Sequence, residues 1–472
     1  LVIADEMNAD WQLVDVIQAA GDERYGDQDT DGSKSVRLFY DLMRELGATA
    51  RYMLEQAASL HWNVPVQECR ALHHQVFHLP TQRSVAFGDL ATTAASLPLP
   101  SRDQLRLKSP DEFVYIGKQT ASHDIPAMVS GAAIYAGDVQ LPDLLVAVVE
   151  HPPVLGAQLL SMDDSAARKI SGVVDIVVLP PLSFPVAFQP LHGVAVVANN
   201  TWAALKARRL LKCEWSESKY SSRSSASLLE QMKAEMQKNG QIVSQRGDVD
   251  QAFANAAHVH TAQYAVPYLA HASMEPPVAV ADVGTFHCRL WASTQNPQNV
   301  RNALSQLLKL PVQRVEVNVP LLGGGFGRKS KGDFCAQAAL IAKAVKRPVK
   351  LLWTREDDIR CDYYHAMSVQ QFSAALNEQN HIIGWRQQAA YPSIATTFDS
   401  SADRPGTGEL SGGFLNTPYE FDNFRAESHP AQESVRIGWL RSVTNIQHAF
   451  ANNCFADEIA QYYWALIASI EC

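Results

Sequence analysis

The chain has 472 residues, 47% of them apolar, enough for about three domains with real cores and too apolar for a disordered protein. Its formal net charge is −9 with both signs scattered, which excludes a nucleic-acid-binding face, and no run of 18 apolar residues suggests a membrane span. Seven cysteines stand singly without a CxxC pair, so they read as isolated thiols rather than as a disulfide framework, a zinc ribbon or an iron–sulfur site.

The chain opens on "LVIADE", which reads as a strand, and closes on the apolar "QYYWALIASIEC". With no initiator Met, it reads as a piece of a longer protein. A polar turn, "GDQDTDGSKSV", precedes a helix in which Phe39, Leu42, Met43, Leu46, Ala50, Met53, Leu54 and Ala57 predict one buried face. Ser33 or Ser35 is placed to cap that helix.

From about Asp111 to Trp215 come three buried-strand runs, Leu144–Val149, Val173–Val178 and Val194–Asn199, followed by a helical "TWAALKARRLLK". A serine-rich linker, "SESKYSSRSSAS", leads onward. Further on, "CRLWAST" predicts a strand and "NPQNVRNALSQLLKL" a helix, with Asn296 at the N-cap and Pro297 at the first helical position. "RVEVNVP" alternates as a strand, "FCAQAALIAKAVKR" predicts a helix and "PVKLLW" a strand. "WTREDDIRCDYYH" reads as a solvated turn with internal ion pairs. His258 and His260 on one strand, with His271 later, form a conceivable metal set, although ordinary polar-face histidines fit the pattern better.

Between strand and helix lies "LLGGGFGRKS", Leu321–Ser330. A Walker A loop beginning at Gly323 needs glycine at 328, which is Arg328, and the G-x-G-x-x-G pattern fails at the same residue. Two readings remain: a tight turn, or bare main chain whose N–H groups approach a bulky ligand.

Together, "ASTQNPQNVRNALSQLLKLPVQRVEVNVPLLGGGFGRK", "YLAHASMEPPVAVADV", "GKQTASHDIPAMVSGAAIYAGDVQLPDLLVAVVEHPP" and "RIGWLRSVTNIQHAFANNCFADEIA" resemble the molybdenum-cofactor subunit of the xanthine dehydrogenase and aldehyde oxidase family. The order of segments is similar to the branch of the isoquinoline 1-oxidoreductase β-subunit, which includes bacterial aldehyde and nicotinate dehydrogenases. In it the "GSKSVRLFYDLMRELGATARYML" piece precedes the hammerhead rather than following it. The resemblance implies an α+β fold: an α/β hammerhead domain plus molybdenum cofactor-binding domains in permuted order. Residues 1–105 would be a permuted piece of the second molybdopterin-binding domain and 106–215 the hammerhead. Residues 216–227 would be the linker and 228–472 the first molybdopterin-binding domain.

By the same resemblance the metal is held by the sulfurs of a molybdopterin, as the cytosine dinucleotide, with no direct protein ligand. Gln295 and the Phe326 N–H would approach an oxygen on molybdenum, with Gly324, Gly325 and Gly327 around them. Arg441 would lie near the metal, and Gly32, Ser33 and Ser35 would contact the cofactor, although Asp31 stands where relatives often have glycine. Ser330 replaces the carboxylate of purine-oxidising relatives, which argues against a purine. The implied reaction is hydroxylation of an aldehyde or N-heteroaromatic substrate with water as oxygen source. Electrons would pass to a [2Fe-2S] subunit, with a cytochrome c subunit as a further partner. The family's general base, a glutamate in a Gly-Glu motif near the far C-terminus, has no match here, and Glu275 is not assigned that role. A periplasmic or cytoplasmic-membrane-associated location is implied, and a non-catalytic cofactor-binding or scaffold subunit is the alternative.

Overall fold

The computed structural model describes residues 1–432 and 434–463. Two compact units are present, one formed by 1–18 and 30–133, the other by 19–29 and 134–472 as far as it is described. No helix among the described residues is long and apolar enough to cross a membrane.

In the first unit "LVIADE" is a helix, Val2–Met7, rather than the strand its apolar start suggests. The reason lies far away in sequence. Asp5 and Glu6 are fully buried; Glu6 meets Arg44 at 2.7 Å and Arg51 at 3.3 Å, and Asp5 meets Lys108 at 2.8 Å. Burial pushes the Asp5 carboxyl up, but the Lys108 bond and the Ile116 and Tyr115 N–H groups outweigh it and hold the group below its ordinary range. The helix Lys34–Trp62 forms where its periodicity places it. Its apolar stripe is buried only toward the C-terminal half: Leu54 and Ala57 are buried, whereas Leu42 and Leu46 are each 47% exposed. Ser33 occupies the N-cap position but makes no side-chain cap bond, and Ser35 lies inside the first turn. A three-stranded sheet, Cys69–Leu72, Gln75–His78 and Ser84–Ala86, completes the unit's core, and no sequence pattern announces it.

The second unit is built on a seven-stranded mixed sheet. Its order is Val315–Asn318, Cys288–Ala292, Val278–Val283, Val349–Leu352, Leu145–Glu150, Val194–Ala198 and Val173–Val178. The two strands at the first edge run parallel, joined by the helix Pro297–Leu308, which lays Val300, Leu304 and Leu308 on the sheet at four-residue spacing. Asn296 caps it by accepting from the Asn299 N–H at 3.0 Å, and Pro297 takes the first position. Ser293–Asn296 and the glycine run therefore leave neighbouring parallel strands at their carboxyl ends, where α/β sheets leave room for ligands. The helix Asp333–Val345 follows the glycines and covers the same core with Phe334, Cys335, Ala338 and Ile341.

A five-stranded sheet adds the second core, in the order His258–Val266, Ser368–Leu376, Ile382–Ala390, Phe424–His429 and Gln241–Arg246. The serine-rich stretch is not wholly linker, since a helix begins at Ser225. Six cysteines, Cys69, Cys213, Cys288, Cys335, Cys361 and Cys454, are free thiols. Cys472 and most of the apolar tail lie outside the described residues.

Candidate functional site

Each side chain of Ser-Thr-Gln-Asn has a separate task in fixing the glycine loop. Ser293 Oγ donates to the Leu321 carbonyl at 2.9 Å and Thr294 Oγ1 to the Lys329 carbonyl at 2.9 Å, so the two hydroxyls fasten both ends of the run. The Gln295 N–H adds a second bond to Lys329 O at 2.9 Å. Gln295 Oε1 accepts from the Gly327 N–H at 3.0 Å, which leaves the amide NH2 as the donor end of this side chain.

Two of the glycines are enforced by contact. A Cβ on Gly325 would lie 2.4 Å from Gln295 Oε1, and one on Gly327, at φ +107°, would lie 1.9 Å from the Trp439 carbonyl oxygen. Gly324 is also in the left-handed region, at φ +94°. Between them Phe326 sits at φ +56°, unusual for an aromatic residue, with its side chain 42% exposed. Its carbonyl accepts from the Arg441 N–H at 2.8 Å. Its own N–H donates to no acceptor among the described residues. Arg441 is exposed, its guanidinium carbon 5.4 Å from the Phe326 ring centroid. Ser442 and Val443 follow at φ +72° and +48°, strain that a β-branched residue tolerates only where the surroundings over-determine it. The structure thus brings together Gln295, Gly324, Gly325, Phe326, Gly327 and Arg441. Gly32 and Ser33, at φ +53° and +54°, and Ser35 form the start of the Lys34–Trp62 helix in the other unit.

Several residues that sequence reasoning missed hold this loop. Glu275 accepts from the Gly323 N–H at 3.1 Å and the Ala136 N–H at 3.2 Å, lies 3.2 Å from Ser293 Oγ, and pairs with Lys329 at 2.6 Å. It is a clamp, with its oxygens fully engaged. Behind the loop runs a buried ion network. Arg328 pairs with Asp333 at 2.8 Å and approaches Asp362 at 3.1 Å, and Arg436 joins Asp333 at 2.8 Å. All four are at most 3% exposed. Burial pushes the Asp333 carboxyl up, but Arg328 and Arg436 outweigh it and hold it below the ordinary carboxylate range.

Asp362 also accepts from both the N–H and Nδ1 of His271, at 2.6 and 2.9 Å, while His271 Nε2 lies 2.8 Å from the Trp439 carbonyl. Both ring nitrogens face oxygen acceptors, so both bonds form only with the doubly protonated ring. His271 thereby ties the arginine-bearing loop to the network. "WTREDDIRCDYYH" is accordingly not a solvated turn throughout. Its Arg355–Arg360 helix is capped by Thr354, but Asp358, Asp362, Tyr363 and His365 are buried. Two histidines of the metal set are apart in function: His260 faces Glu458 at 3.4 Å from its strand, and His271 serves Asp362.

Lys331 is fully buried, donating to the Gly327 carbonyl and to Ser330 Oγ, with its ammonium 5.0 Å from the Trp439 ring centroid. Burial first, then the Arg328 charge, pushes its pKa down to about 7 from 10.5. Between those values the unfolded chain holds a proton that the folded one has released, so stability rises with pH across that window. Lys331→Met is expected to remove a slope of up to about 1.4 kcal/mol per pH unit there. Urea unfolding across the window checks this, and an unchanged slope contradicts it.

A family model described as the molybdopterin cofactor-binding domain matches residues 232–463. The chain is 28% identical over 516 residues to the isoquinoline 1-oxidoreductase β-subunit of Brevundimonas diminuta, covering 97% of this chain and 64% of that protein. It is 30% identical over 477 residues to the membrane-bound aldehyde dehydrogenase (pyrroloquinoline-quinone) of Gluconacetobacter polyoxogenes, covering 97% and 61%. Against a nicotinate dehydrogenase subunit of Pseudomonas putida the identity is 27%, covering 97% and 39%. The chain thus spans less than two thirds of the length of these curated relatives. Among solved structures, quinoline 2-oxidoreductase from Pseudomonas putida 86 superposes with a TM-score of 0.58 at 20% identity, covering 74% of this chain and 48% of that one. CO dehydrogenase from Oligotropha carboxidovorans gives 0.57 at 18% identity over 74% and 48%, so the two share the fold.

Proposed function

Because the chain belongs to the xanthine dehydrogenase and aldehyde oxidase family of molybdopterin-binding subunits, we propose that it forms the cofactor-holding part of a molybdenum hydroxylase. The substrate class is an aldehyde or an N-heteroaromatic ring. The observation that carries this reading is the glycine loop: an exposed strained Phe326 whose N–H has no acceptor among the described residues, next to a Gln295 amide whose oxygen is already engaged.

The residues present fit the group. Cβ atoms at Gly325 and Gly327 would collide with Gln295 Oε1 and the Trp439 carbonyl, so the two glycines let the loop close around a Phe326 N–H that has no acceptor among the described residues. When bound, the molybdenum group supplies the oxygen-transfer and electron-accepting chemistry. The Phe326 N–H, with Gln295 fixed beside it by the Gly327 N–H, is the donor that this chain would offer to an anionic oxygen of the group, and by family resemblance the Gln295 amide would approach the same oxygen. Arg441, close to Phe326, offers a planar cation to orient a carbonyl or a ring nitrogen. Ser330 Oγ donates to the Gly327 carbonyl at 2.8 Å, so it shapes the loop and adds no negative charge there.

The finer reading includes the cytosine dinucleotide form of the cofactor, water as oxygen source and electron transfer to a [2Fe-2S] subunit and onward to a cytochrome c subunit. It also includes a periplasmic or cytoplasmic-membrane-associated location. Turnover in 18O-labelled water tests the reading, with the cofactor-loaded protein, an artificial electron acceptor and either benzaldehyde or isoquinoline. Label in the product is expected. A loaded protein that turns over neither class would favour the scaffold alternative, and unlabelled product would exclude water as the source.

A further inference from the structure

The second unit contains a cavity of about 330 Å³ that includes none of Gln295, Phe326 or Arg441 in its lining. Its size lies at the lower end of the range for small-molecule pockets. Its lining combines apolar Pro152, Val154, Leu155, Leu182 and Leu191 with polar Arg360, Cys361 and Arg436.

Two polar groups in the lining lack partners. His151 is 4% exposed, and its Nε2 faces the Gln337 Nε2 at 3.1 Å. The orientation of that amide is fixed, because Gln337 Oε1 accepts from the Trp353 indole at 3.0 Å and its Nε2 donates to Leu191 O at 2.9 Å. Nε2 of His151 is therefore an acceptor and the ring proton sits on Nδ1. Burial holds this imidazole neutral, its pKa pushed down to about 4. The Nδ1 donor has no partner, a cost that native interiors seldom leave standing.

Arg360 is the second. It is exposed, lines the cavity and makes no ion pair among the described residues. The neighbouring charges are already committed. Arg436 is taken by Asp333; Asp362, the one carboxylate in the described lining, serves His271 and Arg328; and Asp357 and Glu150, outside the lining, face Arg208 at 2.6 and 4.0 Å, although the Arg360 charge also acts on Glu150. Burial pushes the Cys361 thiol up to about 12, so it adds no negative charge. What remains is a guanidinium without an ion pair among the described residues and an orphaned N–H, in a lining rich in apolar side chains. Such a surface is suited to an anion with a greasy body and repels a cation.

We infer that this cavity binds a small organic monocarboxylate, with the carboxylate on Arg360 and the apolar body against Leu155, Leu182 and Leu191. The site needs no cofactor, so it stands or falls separately from the proposed hydroxylase activity. Calorimetry on the purified chain at low salt, with benzoate as the probe and benzyl alcohol as its neutral counterpart, tests it. Saturable benzoate binding is expected, with benzyl alcohol about tenfold weaker or more. Arg360→Ala should weaken benzoate by a similar factor while leaving the thermal unfolding midpoint of the free protein unchanged, since the side chain is exposed and unpaired. Absence of saturable benzoate binding would overturn the assignment. So would equal binding of the two probes, or an Arg360→Ala protein that binds benzoate as the parent does.

Discussion

Gly327→Ala is expected to lose most of its bound molybdenum and pterin while the protein remains folded. The new methyl group would meet the Trp439 carbonyl at 1.9 Å, and the backbone at φ +107° resists any residue with a side chain. Gly327 cannot rotate away, because its N–H is bound to Gln295 and its carbonyl to Ser330 and Lys331. Relief must come from the Trp439 side, and that chain leads within two residues to Arg441, whose N–H holds the Phe326 carbonyl. Strain and overpacking together amount to about 2–5 kcal/mol. Gly324→Ala is the comparison. It shares a positive φ, but the nearest atoms its methyl would meet are Phe326 and Ser273 side-chain atoms at 3.3–3.5 Å, so its cost is about 1–3 kcal/mol and part of the cofactor should stay. Metal and pterin analysis of the two variants, beside urea unfolding, measures the difference. Equal cofactor content in Gly327→Ala and the parent would contradict the account.

Asp333→Ala is expected to destabilise the second unit by about 3–5 kcal/mol, because it leaves two fully desolvated guanidinium groups without their shared counter-ion. The carboxyl is held below its ordinary pKa, so its contribution is present above the unfolded value of 3.8 and is lost as pH falls through the lower folded one. Asp250→Ala provides the contrast. That carboxylate also binds an arginine, Arg425 at 2.7 Å, but its side chain is 76% exposed, and exposed pairs contribute at most about 1 kcal/mol. Urea unfolding of both variants decides, and equal losses would show that the network behind the loop is not what holds it.

The parts of the site legible in the sequence are those whose cause is local. Asn296 and Pro297 announce a helix start, the alternation of "RVEVNVP" announces a strand, and the glycines after that strand announce close approach of main chain. Ser293, Thr294 and Gln295 stand out through family resemblance; their individual tasks become visible only when the fold brings the carbonyls of Leu321 and Lys329 opposite them. The residues missed owe their roles to distant partners. Arg436 meets Asp333 across 103 positions and His271 meets Asp362 across 91, separations that no periodicity encodes. A carboxylate at the head of an otherwise apolar helix, Asp333 before "FCAQAAL", is the one available hint of a buried ion pair. The same reason explains the first segment. "LVIADE" looks like a strand until Arg44, Arg51 and Lys108 neutralise its two acids, and the exposed half of the Lys34–Trp62 stripe shows that periodicity gives the face but not what covers it.

A structure of the cofactor-loaded protein tests the central claim most directly. The account predicts the Phe326 N–H and the Gln295 amide within about 3 Å of an oxygen of the molybdenum group, with no side chain of this polypeptide on the metal. A pterin seated away from residues 324–327, or a metal ligated by a histidine, cysteine or carboxylate of this chain, would contradict it.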